Sequence, residues 1–258
     1  MRLRFLGTGT SFGVPVIGCD CGTCRSDDPR DRRTRHAVVL EEDDRRLLVD
    51  TPPELRLQLV AADISRIDAV WYTHYHADHI HGVDDLRVFS VRGGGALPVH
   101  ADARCARQLA ANFRYIFDPE VRPLRGTTKP DARIHTLTPY QQVEIAEFQL
   151  LPLPVPHGPV EVLGFRCGDL GYVTDAKALP DRTREALRGV RVLVLNALWY
   201  GKPHPTHFTV EEAVEVAREL GAEETYLTHL SHRVRHAELA ARLPAGIAPA
   251  YDGLTLEV

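Results

Sequence analysis

Apolar β-branched runs and amphipathic segments alternate along the whole chain. Side chains that alternate in polarity every second residue predict half-buried strands, and apolar positions at a 3.6-residue period predict helices. The strand pattern is met at Leu3–Leu6, Ala37–Leu40, Leu47–Val49, Ala69–Tyr72, Val143–Ile145, Phe148–Leu151, Val162–Arg166, Gly171–Val173, Val192–Leu195, Thr225–Leu227 and Leu254–Glu257. The helical pattern is met at Glu54–Ala61, Asp84–Phe89, Ala103–Phe113, Arg182–Leu187, Val210–Leu220 and Ala237–Leu243. Thr209 followed by Glu212 is a capping box, which fixes the start of the helix from Val210. Early strands follow one another like hairpins and later ones alternate with helices. This order predicts an α/β protein with a sheet-on-sheet core covered by helices, rather than one parallel sheet. No internal repeat or linker breaks the chain, so 1–258 reads as a single domain. Asp118–Pro139, with four prolines and Gly126, is the least regular stretch and reads as a lid or surface excursion.

Composition adds little beyond excluding some partners. The 258 residues are 44% hydrophobic and 26% charged, within the globular range. A formal charge of −4 gives no basic field for bulk capture of nucleic acid, which is not an expected partner. The locally basic run Arg25–Arg35 reads as a solvated loop. No apolar stretch approaches membrane-spanning length. The start, MRLRFLGTG, is too short and too glycine-rich for a secretory signal, so the cytoplasm is the expected compartment. Three of the five cysteines fall within six residues, Cys19, Cys21 and Cys24. That spacing suits a metal site in a reducing environment better than a disulfide framework.

The stretch WYTHYHADHIHG (Trp71–Gly82) carries the strongest chemical signal. His74, His76, Asp78 and His79 stand in the order H-x-H-x-D-H directly after an apolar strand. On extended backbone His74 and His76 face the same way, and Asp78 and His79 follow as the chain turns. Imidazole nitrogens with a carboxylate suit Zn, Mn or Fe rather than Ca or Mg. Three further polar residues follow apolar runs in the same manner: His157 after LLPLPVP, Asp175 after GYVT, and His229 after TYLT. Burying such a group without a partner is costly, so each is expected to face a cleft.

HYHADH, His157, Asp175 and His229, in this order over most of the chain, resemble the metallo-β-lactamase superfamily of dinuclear metallohydrolases. The resemblance implies a four-layer αββα sandwich with two catalytic divalent metals, Mn or Zn, at the sheet ends. It implies that His74, His76 and His157 hold one metal, that Asp78, His79 and His229 hold the other, and that Asp175 bridges them. Asp50, ending LLVD, matches the superfamily's Asp that supports the ligand loop, and such acceptors fix histidine tautomers. Two metals about 3.5–4 Å apart can hold one hydroxide between them and clamp an in-line displacement at phosphorus. No Ser or Cys nucleophile is then required, only a proton for the leaving oxygen. His204 and His207 in WYGKPHPTHFTVEEA are candidates, and the helix start beyond them is expected to offer free N–H groups to an anion. His207 and Asp78 are the candidate catalytic residues.

The three thiolates of GCDCGTC, in a loop at about 18–25, leave one position of a tetrahedral structural zinc open, and His232 in LTHLSH is the candidate fourth ligand. Together, FLGTGTSFGVPVIGCDCGTC, HYHADH, HPTHFT and LTHLSH are similar to the PhnP-like phosphodiesterases, which open a ribosyl cyclic phosphate. That similarity implies a small phosphodiester substrate, His207 as general acid and a homodimer. The segment LNALWYGKPHPTHFT departs from the family pattern, and Asn196, Trp199 and Tyr200 are expected to reshape the substrate mouth.

Other readings weigh less. Transfer-RNA 3′-processing ribonucleases of the superfamily carry a long arm between the third His and the bridging Asp, and only eighteen positions separate His157 from Asp175 here. Thioester and lactone hydrolases lack the cysteine cluster, and a non-catalytic PqqB-like relative would have lost ligands that this chain retains. The run Gly7–Gly13 lacks the Lys-Ser/Thr ending of a phosphate loop. Arg87, Arg114 and Tyr115 are candidates for holding phosphate or sugar oxygens.

Overall fold

The computed structural model describes residues 1–258. The first half of the chain runs β1 (Arg2–Gly7), β2 (Ala37–Glu42), β3 (Arg45–Val49), α1 (Leu55–Ala61), β4 (Ala69–Trp71), α2 (Ala77–Ile80), α3 (Arg87–Gly93), β5 (Leu97–Asp102), α4 (Ala103–Asn112), α5 (Arg114–Phe117) and β6 (Ala132–Leu137). The second half runs β7 (Val143–Ile145), β8 (Phe148–His157), β9 (Val160–Cys167), β10 (Leu170–Val173), α6 (Asp181–Leu187), β11 (Val192–Asn196), α7 (Val210–Leu220), β12 (Glu224–Thr228), α8 (His236–Arg242), β13 (Ile247–Pro249) and β14 (Thr255–Glu257). Two seven-stranded sheets result, in the orders β14-β1-β2-β3-β4-β5-β6 and β13-β12-β11-β10-β9-β8-β7.

Strand alternation decides which side chain enters which layer. Leu3, Phe5, Val38, Leu40, Leu47, Val49 and Trp71 meet Leu150, Phe165, Tyr172, Val192 and Val194 between the sheets. The intervening Val39, Leu48 and Val70 point outward and pack with Leu55, Leu59 and Leu109 of α1 and α4. On the far side Leu193, Leu195 and Leu227 pack with Leu187, Ala213 and Leu220 of α6 and α7. The αββα layering expected from the sequence is therefore what the two faces of each sheet produce. Trp71 is fully buried, and its indole N–H donates to the Leu163 carbonyl of the opposite sheet at 2.9 Å. Trp71→Ala should lower stability by about 3–5 kcal/mol, read as a shifted urea midpoint at unchanged slope. A loss under about 1 kcal/mol would contradict this packing role.

The structure corrects several expectations. Asp84–Phe89 is not one helix, because a 3₁₀ turn over Val83–Leu86 precedes α3. The excursion after Asp118 ends in β6, which pairs in parallel with β5. Neither strand, nor the short β13, was expected from the pattern. β8 continues through Pro152, Pro154 and Pro156 to His157, six residues beyond its expected end. The three prolines share one parity, and their carbonyls accept from Tyr140 N, Thr183 Oγ1 and Lys177 N rather than from β9. Their missing N–H groups therefore lie on the side away from β9, so no ladder bond to β9 is lost. No helix is long and apolar enough to cross a membrane.

Candidate metal centre

The residues singled out in the sequence stand at strand ends along one edge of the sandwich. Asp50 follows β3, His74 comes three residues after β4, His157 closes β8, Asp175 is two residues beyond β10, and His229 follows β12. Asp50, Asp175 and His229 adopt positive φ (65°, 52° and 56°), sparsely populated for non-glycine residues, and this backbone turns each side chain into the edge. Gly82 closes the His-rich turn against the chain after β3: a Cβ there would lie 2.1 Å from the Pro52 carbonyl oxygen. Only glycine permits that approach.

Asp50 organises the turn. Its Oδ1 accepts from Thr73 N at 2.8 Å, and its Oδ2 accepts from Thr73 Oγ1 and His79 Nδ1, both at 2.7 Å. The Thr73 hydroxyl, having donated to Asp50, accepts from His74 Nδ1 at 3.0 Å. His157 Nδ1 donates to the Thr206 carbonyl at 3.0 Å. In His74, His79 and His157 the Nδ1 proton is thus committed, and each Nε2 lone pair is left facing inward. These Nε2 atoms lie 3.9, 3.6 and 4.0 Å from Asp175 Oδ2, and His229 Nε2 lies 3.4 Å from Asp175 Oδ1. Asp78 Oδ2 is 3.5 Å from His79 Nε2, and His76 Nδ1 is 2.9 Å from His74 Nε2. Ligand-capable atoms of His74, His76 and His157 form one close group, and those of Asp78, His79 and His229 form another. Asp175 lies between them.

The donor set fits two cations. His79 Nε2 and both ring nitrogens of His229 are buried with no hydrogen-bond partner, an arrangement that costs about 1–3 kcal/mol per group unless a ligand compensates. Burial, aided by the neighbouring His79, pushes His74 well below its usual range, and burial brings His229 down to about 4. Neutral imidazole is the ligating form. Burial opposes the charge on Asp175, yet His229 and His79 hold its carboxyl well below the usual carboxylate range. Burial also opposes charge on His79, but Asp78, Asp175 and Asp50 raise it well above its usual value, the same negative field that would draw a cation to its Nε2 in place of a proton. A cluster of bases around carboxylates is the electrostatic state that a cation would relieve.

The second cluster is separate. The Sγ atoms of Cys19, Cys21 and Cys24 stand 3.2, 3.5 and 3.7 Å from His232 Nδ1. Tetrahedral zinc with ordinary Zn–S and Zn–N bonds would set these edges at about 3.5 Å. The Cys24 backbone N–H lowers the Cys21 thiol to about 6, towards the thiolate that binds metal. Buried Arg33 braces the partner loop by donating to the carbonyls of Ser231 and Val234 at 2.8 and 3.0 Å. Cys24→Ala should remove one zinc per chain and lower Tm by several degrees while sparing the His/Asp cluster, as checked by metal analysis and calorimetry. Unchanged zinc content would exclude the cysteine site.

Other candidates land differently. Arg87 and Tyr115 both bind Asp84, and Arg114 pairs with Asp118, so none joins the metal cluster. The start of α7 offers fewer free N–H groups than expected. Thr209 caps Glu212 N, Glu212 caps Thr209 N, and Val210 N donates to the Trp199 carbonyl. His204 lies one step outside the cluster, whereas His207 Nε2 reaches Asp175 Oδ2 at 3.3 Å. Sequence reasoning missed Thr73 and Thr206, and it misplaced Asn196: instead of shaping the substrate mouth this residue is fully buried, where its amide grips both backbone groups of Ala176 and so holds the Asp175 turn. It also missed His36, buried beneath His79 and His229 and held by Tyr172 Oη at 2.6 Å and Thr228 Oγ1 at 3.0 Å.

Residues 45–230 match the family model described as "Beta-lactamase superfamily domain". The structure superposes on that of a protein described as a new diphosphatase from the PhnP family, with 42% identity, a TM-score of 0.91, and coverage of 100% of this chain and 97% of that one. The chain belongs to the PhnP family of the metallo-β-lactamase superfamily. Zn(2+)-bound PqqB from Methylobacterium extorquens shares the fold over the full length of both chains, at 18% identity and a TM-score of 0.80. Among curated proteins, an octanoyltransferase from Porphyromonas gingivalis is 37% identical over 98% of this chain. This chain spans about half the length of that protein (51%). A ribonuclease Z from Methanopyrus kandleri is 26% identical over 99% of this chain and 97% of its own length.

Proposed function

We propose that this chain hydrolyses a small phosphodiester of the cyclic ribosyl or nucleoside phosphate type. His74, His76 and His157 would hold one divalent metal, Asp78, His79 and His229 a second, and Asp175 both. Cys19, Cys21, Cys24 and His232 would hold a structural zinc. When bound, such a catalytic pair supplies Lewis acidity and lowers the pKa of water enough for attack near neutral pH. The observation that carries the reading is the convergence on Asp175 of imidazoles whose outer nitrogens are already committed to Asp50, Thr73 and Thr206.

The chain's own residues supply the rest. His207 Nδ1 lies 2.9 Å from Thr206 Oγ1. A hydroxyl donating there leaves the imidazole proton on Nε2, the atom that faces the cluster. His207 is thereby positioned to protonate the leaving oxygen. Thr206 serves twice, through its hydroxyl on His207 and its carbonyl on His157. Asp78, half-buried beside His79, would act through the metal it helps to hold.

The names of the relatives support attack at phosphorus, since both a diphosphatase and a ribonuclease break P–O bonds. The diphosphatase name favours one second reading, a diphosphate ester in place of the cyclic diester. The ribonuclease reading is weaker, because the chain between His157 and Asp175 forms only β9, β10 and their turns, with no arm to grip tRNA. The octanoyltransferase name belongs to a protein twice as long and is not carried over.

The test is a turnover screen of ribosyl cyclic phosphate, 2′,3′-cyclic nucleotides, a diphosphate ester and bis-nitrophenyl phosphate, with Mn and Zn added in turn. Metal-dependent release from a cyclic diester is the expected result. Turnover of the diphosphate ester alone would select the second reading, and inactivity on all four would overturn both.

A further inference from the structure

A cleft of about 400 Å³ opens beside the His/Asp cluster, with His207 and His229 at its inner end. One wall is the turn after β1, where Gly13 N donates to the Thr10 carbonyl at 2.8 Å. That turn holds Phe12 into the cleft with 71% of its surface exposed. Another wall carries Trp199, whose indole N–H donates to the Lys202 carbonyl at 2.8 Å. The Arg233 guanidinium lies 4.3 Å from the Trp199 ring centroid, and His204 meets the same ring edge-on at 5.4 Å. No carboxylate lines this cleft.

These features suit a particular kind of ester group. An apolar ring held out on a hydrogen-bonded turn at the mouth of a catalytic cleft presents a free π face. A second aromatic ring, fixed by a backbone carbonyl and covered by a cation, adds a planar and positively charged neighbour. A ribosyl phosphate alone has nothing planar to place against Phe12, whereas a nucleoside has.

We propose that this cleft is a base-binding subsite. The favoured substrate is then a nucleotide-type phosphoester whose base stacks on Phe12 beside Trp199 and Arg233 while its phosphate faces His207. The inference deepens the phosphodiesterase reading and rests on it for the identity of the reacting group. The base contact itself is testable without turnover.

The test uses the full-length, metal-loaded protein and adenosine 5′-monophosphate, with ribose 5-phosphate as the base-free control. Calorimetry gives both affinities, and tryptophan fluorescence locates the base. Of the two tryptophans Trp71 is buried between the sheets, so quenching reports on Trp199. The nucleotide is expected to bind roughly tenfold or more tightly than the control and to quench fluorescence. Phe12→Ala should collapse that ratio towards one, and Phe12→Tyr, which keeps a ring, should restore it. Equal affinities for the two ligands in the unmodified protein would overturn the proposal. So would a Phe12→Ala protein whose ratio is unchanged while its oligomeric mass shifts, which would assign the ring to a second copy of the chain. If the nucleotide binds through Phe12 and yet no phosphodiester is turned over, the catalytic reading fails and the subsite stands. Turnover of base-free esters with no nucleotide preference gives the reverse.

Discussion

Asp175→Ala is expected to abolish hydrolysis and to cut the metal content of the loaded protein from about three ions per chain to about one. Asp175 is buried, and its two oxygens face nitrogens of His74, His79, His157, His207 and His229. No other carboxylate stands between the two halves of the cluster. Its removal leaves five imidazoles facing one another without the charge that organises them, so cations lose both a shared ligand and their neutralising anion. The rate should fall about a thousandfold or more, which corresponds to roughly 4 kcal/mol of barrier. The ion proposed for the cysteines should stay, because Cys19, Cys21, Cys24 and His232 form a group of their own. Far-UV circular dichroism should change little. Retained turnover, or three metals in the variant, would exclude a bridged pair.

His207→Ala should slow esters with poor leaving groups by about 10²–10⁴-fold while slowing bis-nitrophenyl phosphate less than about tenfold. Nitrophenolate departs without a proton, so only an acid role separates the two substrates. The ring is well placed for that role, with Thr206 Oγ1 at one nitrogen and the cluster at the other. Geometry also admits a rival, because His157, Asp175 and His207 form a metal-capable group. The variant distinguishes them. An acid can be removed with the catalytic metals still bound, whereas loss of a ligand takes a metal with it. Equal slowing of both substrates, or a missing ion, would remove His207 from the acid role.

Much of the site was legible because the metal-ligating types stand where strands end. An imidazole after AVWYT, or a carboxylate after GYVT, cannot stay in the apolar layer that its neighbours build. The apolar runs marked the strands, and in the structure their two-residue alternation puts Leu3, Phe5, Val38 and Leu40 in one layer and Val39, Leu48 and Val70 in the next. What escaped had weak periodicity or depended on tertiary partners. β5 carries Pro98 and His100, β6 is an edge strand with half its residues exposed, and β13 is three residues ending in Pro249. β8 looked finished at Leu151 because a proline at every second position argues against a strand, and only the open side of β8 makes it tolerable. The supporting hydrogen bonds of Thr73, Thr206 and Asn196 leave no mark in a linear pattern, since threonine and asparagine are common anywhere on a loop. The start of α7 misled in the opposite way: the capping box that identified the helix takes up Glu212 N, and the Trp199 carbonyl takes up Val210 N, so fewer N–H groups face outward than the pattern suggested.

Anomalous diffraction from a crystal of the protein loaded with zinc or manganese tests the central claim most directly. The account predicts two peaks about 3.5–4 Å apart on either side of the Asp175 carboxylate, one among His74, His76 and His157 and the other among Asp78, His79 and His229. A third peak should lie at the cysteines and His232. Metal found elsewhere, or a single ion bound away from Asp175, would contradict it.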